Sequence, residues 1–342
     1  MNILIIKLSA IGDVIHTLPS LAALRRVYPQ AHVTWVVEEA AADLILNHPQ
    51  LNEVLVSRRK AWIQDVKSGN FRKEWQEIVQ FIKDLRKRPY DLVIDFHGLL
   101  KSSIIVFLSG GKRKLGYDSL QELSGLFLTE KIPEDMDKHA VDRYLDFPFY
   151  LGAKKERAEF ILPKSADAEN KVKLLLASYG LDENNYIAIN PIAYWDTKLW
   201  DNEKFAKLAD LIQEKLKKKV VFTGSESKSV EEIAAKMKSK GINLGGKTSL
   251  MELAHIFKKA RMLITTDSGP MHLACAVGTP VIALFGPTDP KRTGPYGEGH
   301  IVIRDNLSCS PCFLKKCDTV NCMKNIATEQ VYSVVESKIK SK

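Results

Sequence analysis

Residues 1–14 read MNILIIKLSAIGDV. Ile3, Leu4, Ile5, Ile6 and Leu8 make an apolar run of strand length, broken by Lys7 alone. The run stops at Ser9 and Gly12, and residues 14–27 then place apolar side chains at helical spacing. A strand that is apolar on both faces and leads straight into a helix is the opening of a βα unit in a parallel sheet.

The same alternation continues outward from this stretch. Strands are expected at 33–37, 54–56 and 92–96, with helices at 14–27, 40–46, 75–85 and from 99 onward. The pattern weakens from 133 to 164, where Pro133, Pro148, Gly152 and Pro163 fall, and this region reads as a linker. Strands then resume at 186–190, 220–223, 262–265 and 281–285, separated by helices at 205–216, 230–237, 251–257 and 271–277. An amphipathic helix at 330–339 closes the chain. The fold class is α/β, with two doubly wound domains, 1–163 and 164–327, facing a central cleft and a terminal helix in 328–342 packing back on the first domain. Ligands of such sheets sit at the carboxyl ends of the strands.

The 342 residues suit about two domains. At 45% hydrophobic and 27% charged residues, a packed core is expected and wholesale disorder is excluded. Lys and Arg number 50 against 41 Asp and Glu, a formal charge of +9 that favours an anionic partner. Residues 1–8 are too short, and lack a cleavage pattern, for a signal peptide. No apolar run approaches the roughly 20 residues of a spanning helix. The expectation is a cytosolic protein that touches a membrane surface.

Four loops carry the chemistry. The first βα turn has only Gly12 where a dinucleotide turn needs G-x-G-x-x-G, and Asp13 would repel a pyrophosphate, which disfavours a dehydrogenase. Asp13 reads either as a plain helix cap or as an ionised carboxylate that takes a proton from an attacking hydroxyl. Thr265–His272 (TTDSGPMH) ends a strand and opens a helix, so Ser268 and Gly269 can turn backbone amides toward an anion, with His272 one turn in. Lys198 in Asn190–Trp200 follows another strand and offers a point charge for a diphosphate. Glu226 follows Thr223-Gly224, where a carboxylate can accept from a ribose diol. Arg59 and Lys60, then Lys101 and Arg113, make the first domain basic near expected strand ends. Cys309-x2-Cys312-x4-Cys317-x4-Cys322 reads as a structural metal site or as reduced thiols.

Taken in order, these stretches resemble the bacterial lipopolysaccharide heptosyltransferases, glycosyltransferase family nine. The resemblance rests on Lys7 with Ser9-x-x-Gly12-Asp13-Val14-x-His16-Thr17-Leu18-Pro19, Trp35-Val36-Val37-Glu38-Glu39, Arg59-Lys60-Ala61-Trp62, Asp95-x-x-Gly98-Leu99-x-Lys101-Ser102 and His139-Ala140-Val141-x-Arg143. In the second half it rests on Asp196-x-Lys198-x-Trp200, Asp267-Ser268-Gly269-x-x-His272 and Gly286-Pro287-Thr288-Asp289-Pro290. Heptosyltransferase I is the most similar type.

The resemblance implies a GT-B fold with the acceptor on the first domain and the nucleotide sugar on the second. It implies ADP-L-glycero-β-D-manno-heptose as donor, the Kdo sugar of Kdo2-lipid A as acceptor, no required cofactor, and peripheral attachment to the acidic cytoplasmic face of the inner membrane. Asp13 becomes the general base of an inverting transfer. Lys198, Glu226, Asp267, Ser268, Gly269 and His272 become donor contacts, together with Ala193 and Tyr194, which stand where the family often has small hydroxyl residues. Arg59, Lys60, Lys101 and Arg113 become acceptor contacts. The cysteine stretch resembles some members of the heptosyltransferase II type, which stays an alternative beside another sugar-nucleotide transferase and a non-catalytic nucleotide- or polyanion-binding protein. No nucleic-acid motif is present.

Overall fold

The computed structural model describes residues 1–67, 71–119 and 121–341. The chain divides into two units, Met1–Lys164 and Ser165–Lys342. In the first unit β1 (Asn2–Ile6), β2 (His32–Glu38), β3 (Glu53–Ser57), β4 (Leu92–Asp95), β5 (Arg113–Tyr117) and β6 (Glu130–Ile132) form a six-stranded sheet among the described residues, in the order 3-2-1-4-5-6. Its strands are parallel throughout, with Ile3 of β1 level with Val33 on one side and Leu92 on the other. Ile3 to Ile6 are fully buried because helices cover both faces of the sheet. The helices are α1 (Ile11–Val27), α2 (Glu39–Ala42), α3 (Arg59–Lys67), α4 (Phe71–Leu85), α5 (Leu100–Leu108) and α6 (Ala140–Tyr150).

The second unit repeats the plan. Its strands are β7 (Tyr186–Asn190), β8 (Lys219–Phe222), β9 (Ile242–Asn243), β10 (Leu263–Thr266), β11 (Val281–Phe285) and β12 (Ile301–Arg304). They run 12-11-10-7-8-9, again all parallel. Counted from β7, this is the same 3-2-1-4-5-6 order. Its helices are α7 (Ala166–Ser178), α8 (Asn202–Leu216), α9 (Lys228–Ala234), α10 (Leu250–Lys259), α11 (Gly269–Ala276), α12 (Pro290–Thr293), α13 (Asn321–Lys324) and α14 (Thr328–Lys340). Each unit thus has one point where the strand order reverses: between β1 and β4 in the first, between β7 and β10 in the second. Loops leaving the carboxyl ends of those two strands diverge to opposite faces and leave a crevice for ligand.

Two expectations are corrected. The stretch 133–164 is no bare linker, since α6 occupies its middle. Val141, Tyr144, Leu145 and Phe147 of α6 are buried, and the helix packs on α1. Pro148 masked it, yet a proline in the last turn removes a single intrahelical bond. The terminal helix α14, within the expected 328–342, packs on α8 of the second unit. Val331 and Val335 join Ile212 in the second core, and Glu329 pairs with Lys207. Lys342, the last residue of that expectation, lies outside the described residues. The expected helix at 40–46 shrinks to α2, followed by turns. Strands β5, β6 and β12 escaped the reading because they are short and carry charged residues at their ends, as in Arg113-Lys114 and Arg304.

Candidate functional site

Asp13 lies in the first turn of α1, immediately beyond β1 at the reversal point. Its Oδ2 accepts the Ala10 amide at 3.1 Å and its Oδ1 accepts the Tyr144 hydroxyl at 3.1 Å. Lys7 is buried under them. Its ammonium donates to Tyr144 Oη at 2.6 Å and to the Phe96 carbonyl at 3.0 Å, and stands 4.0 Å from Asp13. The Phe96 carbonyl follows β4, so Lys7 ties together the two strands that flank the reversal. Partial burial pushes the Asp13 carboxyl up, but the Lys7 ammonium, the Ala10 amide and the Tyr144 hydroxyl outweigh it and hold the group below its ordinary value. Burial in turn lowers the Lys7 ammonium, against the opposing pull of Asp13. The Asp13 side chain stays 41% exposed, so an ionised carboxylate with open lone pairs faces outward from a rigid base. Ionised Asp13 therefore stabilises the fold above the ordinary carboxyl range, and that contribution fades as pH falls through its lowered value.

A second carboxylate organises the cations. Glu38 ends β2 and is buried. Its Oε1 meets Arg59 Nη2 at 3.2 Å and Lys101 Nζ at 3.4 Å, and its Oε2 is 3.8 Å from Lys60. Lys101 also donates to Ser9 Oγ at 2.8 Å. Three cations around one carboxylate leave an excess of positive charge next to Asp13. The turn after β4 explains the spacing of residues 95–102. Asp95 accepts from the amides of His97 and Gly98 and from Ser102 Oγ, and Gly98 adopts φ of +64°. That fixed turn starts α5 and delivers Lys101 to the cluster. Arg113 does not join. It stands at the amino end of β5, level with Leu92, and forms a two-pronged pair with Glu130 at 2.7 and 2.9 Å. The strand length separates it from the carboxyl ends where the others gather.

In the second unit the reversal point is bridged by charge. Lys198 follows β7 and Asp267 follows β10, and they pair at 2.6 Å with both side chains largely buried. Thr288 donates to the same Asp267 oxygen at 2.7 Å. Lys198 also lies over the Trp195 ring, 4.4 Å from its centre. Ser268 caps α11 through its backbone, and its hydroxyl is 3.3 Å from Thr265 Oγ1 rather than bonded into the helix. His272 is buried one turn into α11. Glu226 stands exposed after β8 and accepts from Ser229 at 2.5 Å. Ala193 is half-buried, whereas Tyr194 projects into solvent.

The cysteine loop is a brace for this end of the unit. The Cys312 and Phe313 amides donate to the Pro287 carbonyl, Ser310 Oγ donates to the Gly286 carbonyl, and Thr197, beside Lys198, donates to the Leu314 carbonyl at 2.8 Å. Cys309 and Cys317 are exposed and Cys322 is buried; none of the four is in a disulfide. Among the described residues no group of three or more His, Cys, Asp or Glu could hold a metal ion. The described residues do not support the four-thiol metal reading: Cys322 is turned into the second core beside Met323, although Cys309, Cys312 and Cys317 are within its electrostatic reach.

A family model described as glycosyltransferase family 9 (heptosyltransferase) matches residues 78–323. The chain belongs to glycosyltransferase family 9. It is 30% identical to lipopolysaccharide heptosyltransferase 1 of Pseudomonas aeruginosa over 93% of this chain and 87% of that one. It is 29% identical to lipopolysaccharide heptosyltransferase 3 of Escherichia coli over 85% of this chain and 84% of that one. Among solved structures, a family 9 glycosyl transferase from Veillonella parvula superposes with a TM-score of 0.85 at 26% identity, covering 100% of this chain and 98% of that one. E. coli heptosyltransferase WaaC with ADP gives 0.79 at 25% identity over 99% and 100%. The two parallel sheets are thus the Rossmann-like pair of the GT-B class, and the protein is a glycosyltransferase of the heptosyltransferase family.

For a family 9 enzyme the site holds groups that the loop-by-loop reading passed over. Tyr144 is the chief one, hidden in the supposed linker although it directly follows the quoted His139–Arg143 stretch. Glu38 was visible only within the Trp35–Glu39 stretch of the resemblance, and Trp195 only as a neighbour of Lys198. Their signal was position after a strand, and the deciding contacts are tertiary.

Proposed function

We propose that this family 9 enzyme transfers L-glycero-D-manno-heptose from ADP-heptose to a Kdo sugar of the lipopolysaccharide inner core, with inversion. The observation that carries this reading is the ionised Asp13 carboxylate beside the Glu38–Arg59–Lys60–Lys101 cluster. Asp13 takes the proton of the acceptor hydroxyl. The oxygen then attacks the anomeric carbon, the bond from that carbon to the diphosphate breaks, and its electron pair leaves on the ADP oxygen. Lys198 and the free amides at the start of α11 stabilise the growing charge, with Ser268, Gly269 and His272 lining the diphosphate. Asp267 holds Lys198 in place, Glu226 accepts from the ribose diol, and the backbone at Ala193 and Tyr194 borders the nucleotide. Acceptor and donor units must meet on one substrate pair for the step to run.

The relatives include types 1 and 3, which their names separate and this identity does not. The basic cluster favours the first, because Kdo carries a carboxylate where heptose is a neutral sugar. Arg113 is left out of the acceptor contacts. A transfer assay with ADP-heptose and deacylated Kdo2-lipid A, run beside a heptose-terminated acceptor and a panel of other nucleotide sugars, tests the assignment. Transfer only to the heptose-terminated acceptor, or from another donor, overturns it.

Peripheral attachment to the acidic inner-membrane surface belongs to the same reading. No described helix is long and apolar enough to cross a membrane. Leu100, Ile104 and Phe107 recur along one face of α5 and are each about half exposed, with Leu126 more so. This stripe and the charge of +9 support contact with anionic lipid. Co-flotation with anionic vesicles is expected at low salt, and none at any salt rejects the attachment.

The Tyr144 contact has its own expected result. Tyr144→Phe removes a donor from the Asp13 carboxylate, so the carboxyl should titrate higher. The acid limb of the kcat/KM profile should move up by about one pH unit. An unmoved limb would show that the hydroxyl does not set the state of Asp13.

A further inference from the structure

The turn after β4 carries a side chain that the transfer described above does not use. The His97 amide is pinned to Asp95 Oδ1 at 2.9 Å, with the Gly98 amide on the same oxygen at 3.1 Å. The backbone under the ring is therefore fixed. Both ring nitrogens, Nδ1 and Nε2, are shielded from solvent and have no hydrogen-bond partner among the described residues. Buried polar atoms are nearly always paired, and a neutral imidazole has one N–H to give and one lone pair to fill. Leaving both unmet is a cost that packing alone does not explain.

The surroundings say what is missing. The ring lies within electrostatic reach of Lys7 and Asp13, and of Lys101 and Arg59 from the Glu38 cluster. Burial first, then the two lysines, push its pKa down to about 3, and the imidazole is uncharged at neutral pH. A carboxylate or phosphate would be drawn to the cations beside it. An uncharged group that both donates and accepts matches a hydroxyl, which does the same.

We propose that His97 is an acceptor-contact residue whose half-buried ring turns about its side-chain bonds, on its pinned backbone, so that its shielded nitrogens reach sugar hydroxyls, one giving its proton and one receiving, next to the hydroxyl that Asp13 deprotonates. The assignment rests on the reading of the first unit as the acceptor unit. It separates two tasks: Arg59, Lys60 and Lys101 attract the acidic group, and His97 reads the hydroxyl pattern and sets the angle of the sugar. It predicts that an anionic sugar with the neighbouring hydroxyl removed binds less well even though its charge is intact.

Calorimetric binding of deacylated Kdo2-lipid A tests this without requiring turnover. His97→Phe keeps the ring volume and removes both nitrogens. Acceptor affinity should fall about tenfold or more, the acceptor KM should rise in step, and ADP affinity and melting temperature should match the wild type. His97→Gln, which retains a donor and an acceptor, should recover part of the loss. Unchanged acceptor affinity in a folded His97→Phe protein overturns the proposal, as does a lowered melting temperature with acceptor affinity intact, which assigns the ring to packing. Wild-type protein that binds no acceptor removes the acceptor reading itself and this inference with it, and is recognised because the wild type fails before any variant is compared.

Discussion

Asp13→Asn should leave a folded protein whose turnover is lower by about a hundredfold or more. Asparagine keeps the shape, and its single oxygen can still accept from the Ala10 amide while its NH2 donates to Tyr144 Oη in place of the bond the carboxylate accepted, so both 3.1 Å contacts that seat the side chain have a counterpart. What it loses is the charge and the capacity to take a proton. Lys7 then lacks its nearest anion but retains the Phe96 carbonyl and Tyr144 Oη, so the buried ammonium is not stranded. ADP affinity should be unchanged, since the proposed nucleotide contacts are all on the second unit. Steady-state transfer kinetics with calorimetry on the same protein separate these effects. Wild-type turnover in Asp13→Asn would remove Asp13 as the base and leave it a helix cap.

The second large effect belongs to Lys198. On the proposed reading Lys198→Ala removes a charge-assisted contact to the diphosphate, and ADP affinity should fall by about tenfold to a hundredfold. It also strips the buried Asp267 of a partner at 2.6 Å, leaving Thr288 alone on that oxygen. An unpaired buried carboxylate should lower stability by about 3 kcal/mol. The two losses can be pulled apart. Adding Asp267→Asn to Lys198→Ala removes the stranded charge and should restore most of the stability while affinity stays low. Isothermal calorimetry and thermal melts read both quantities. Unchanged ADP affinity in Lys198→Ala would reject its role, and stability that stays low in the double variant would show that the pair is not the cause.

These two residues stand out in the sequence for the same reason. Asp13 and Lys198 each follow an apolar strand, and a parallel sheet concentrates ligand groups at such positions. The doubly wound class was legible too, because strands buried on both faces must be apolar along their whole length, as Ile3–Ile6 and Val281–Phe285 are. Position after a strand does not tell which strands are neighbours. Arg113 looked equivalent to Lys101 along the chain, yet one begins β5 and pairs with Glu130 while the other leaves the β4 turn and reaches Glu38. Tyr144 was lost because Pro148 and its neighbours resembled a linker. Cys322 belonged by spacing to a thiol cluster and by packing to the second core.

The sequence by itself determined the alternation of strand and helix and the family, since local apolar periodicity and ordered motifs are properties of the chain alone. The tertiary structure alone decided that both sheets run 3-2-1-4-5-6, that Lys7, Tyr144 and Asp13 form one hydrogen-bonded group, that Glu38 gathers three cations, and that His97 is left with two unmet nitrogens. Those facts join residues as far as 137 positions apart. Such contacts depend on strand order and on how helices cover the sheet, and neither is written in any local stretch of residues.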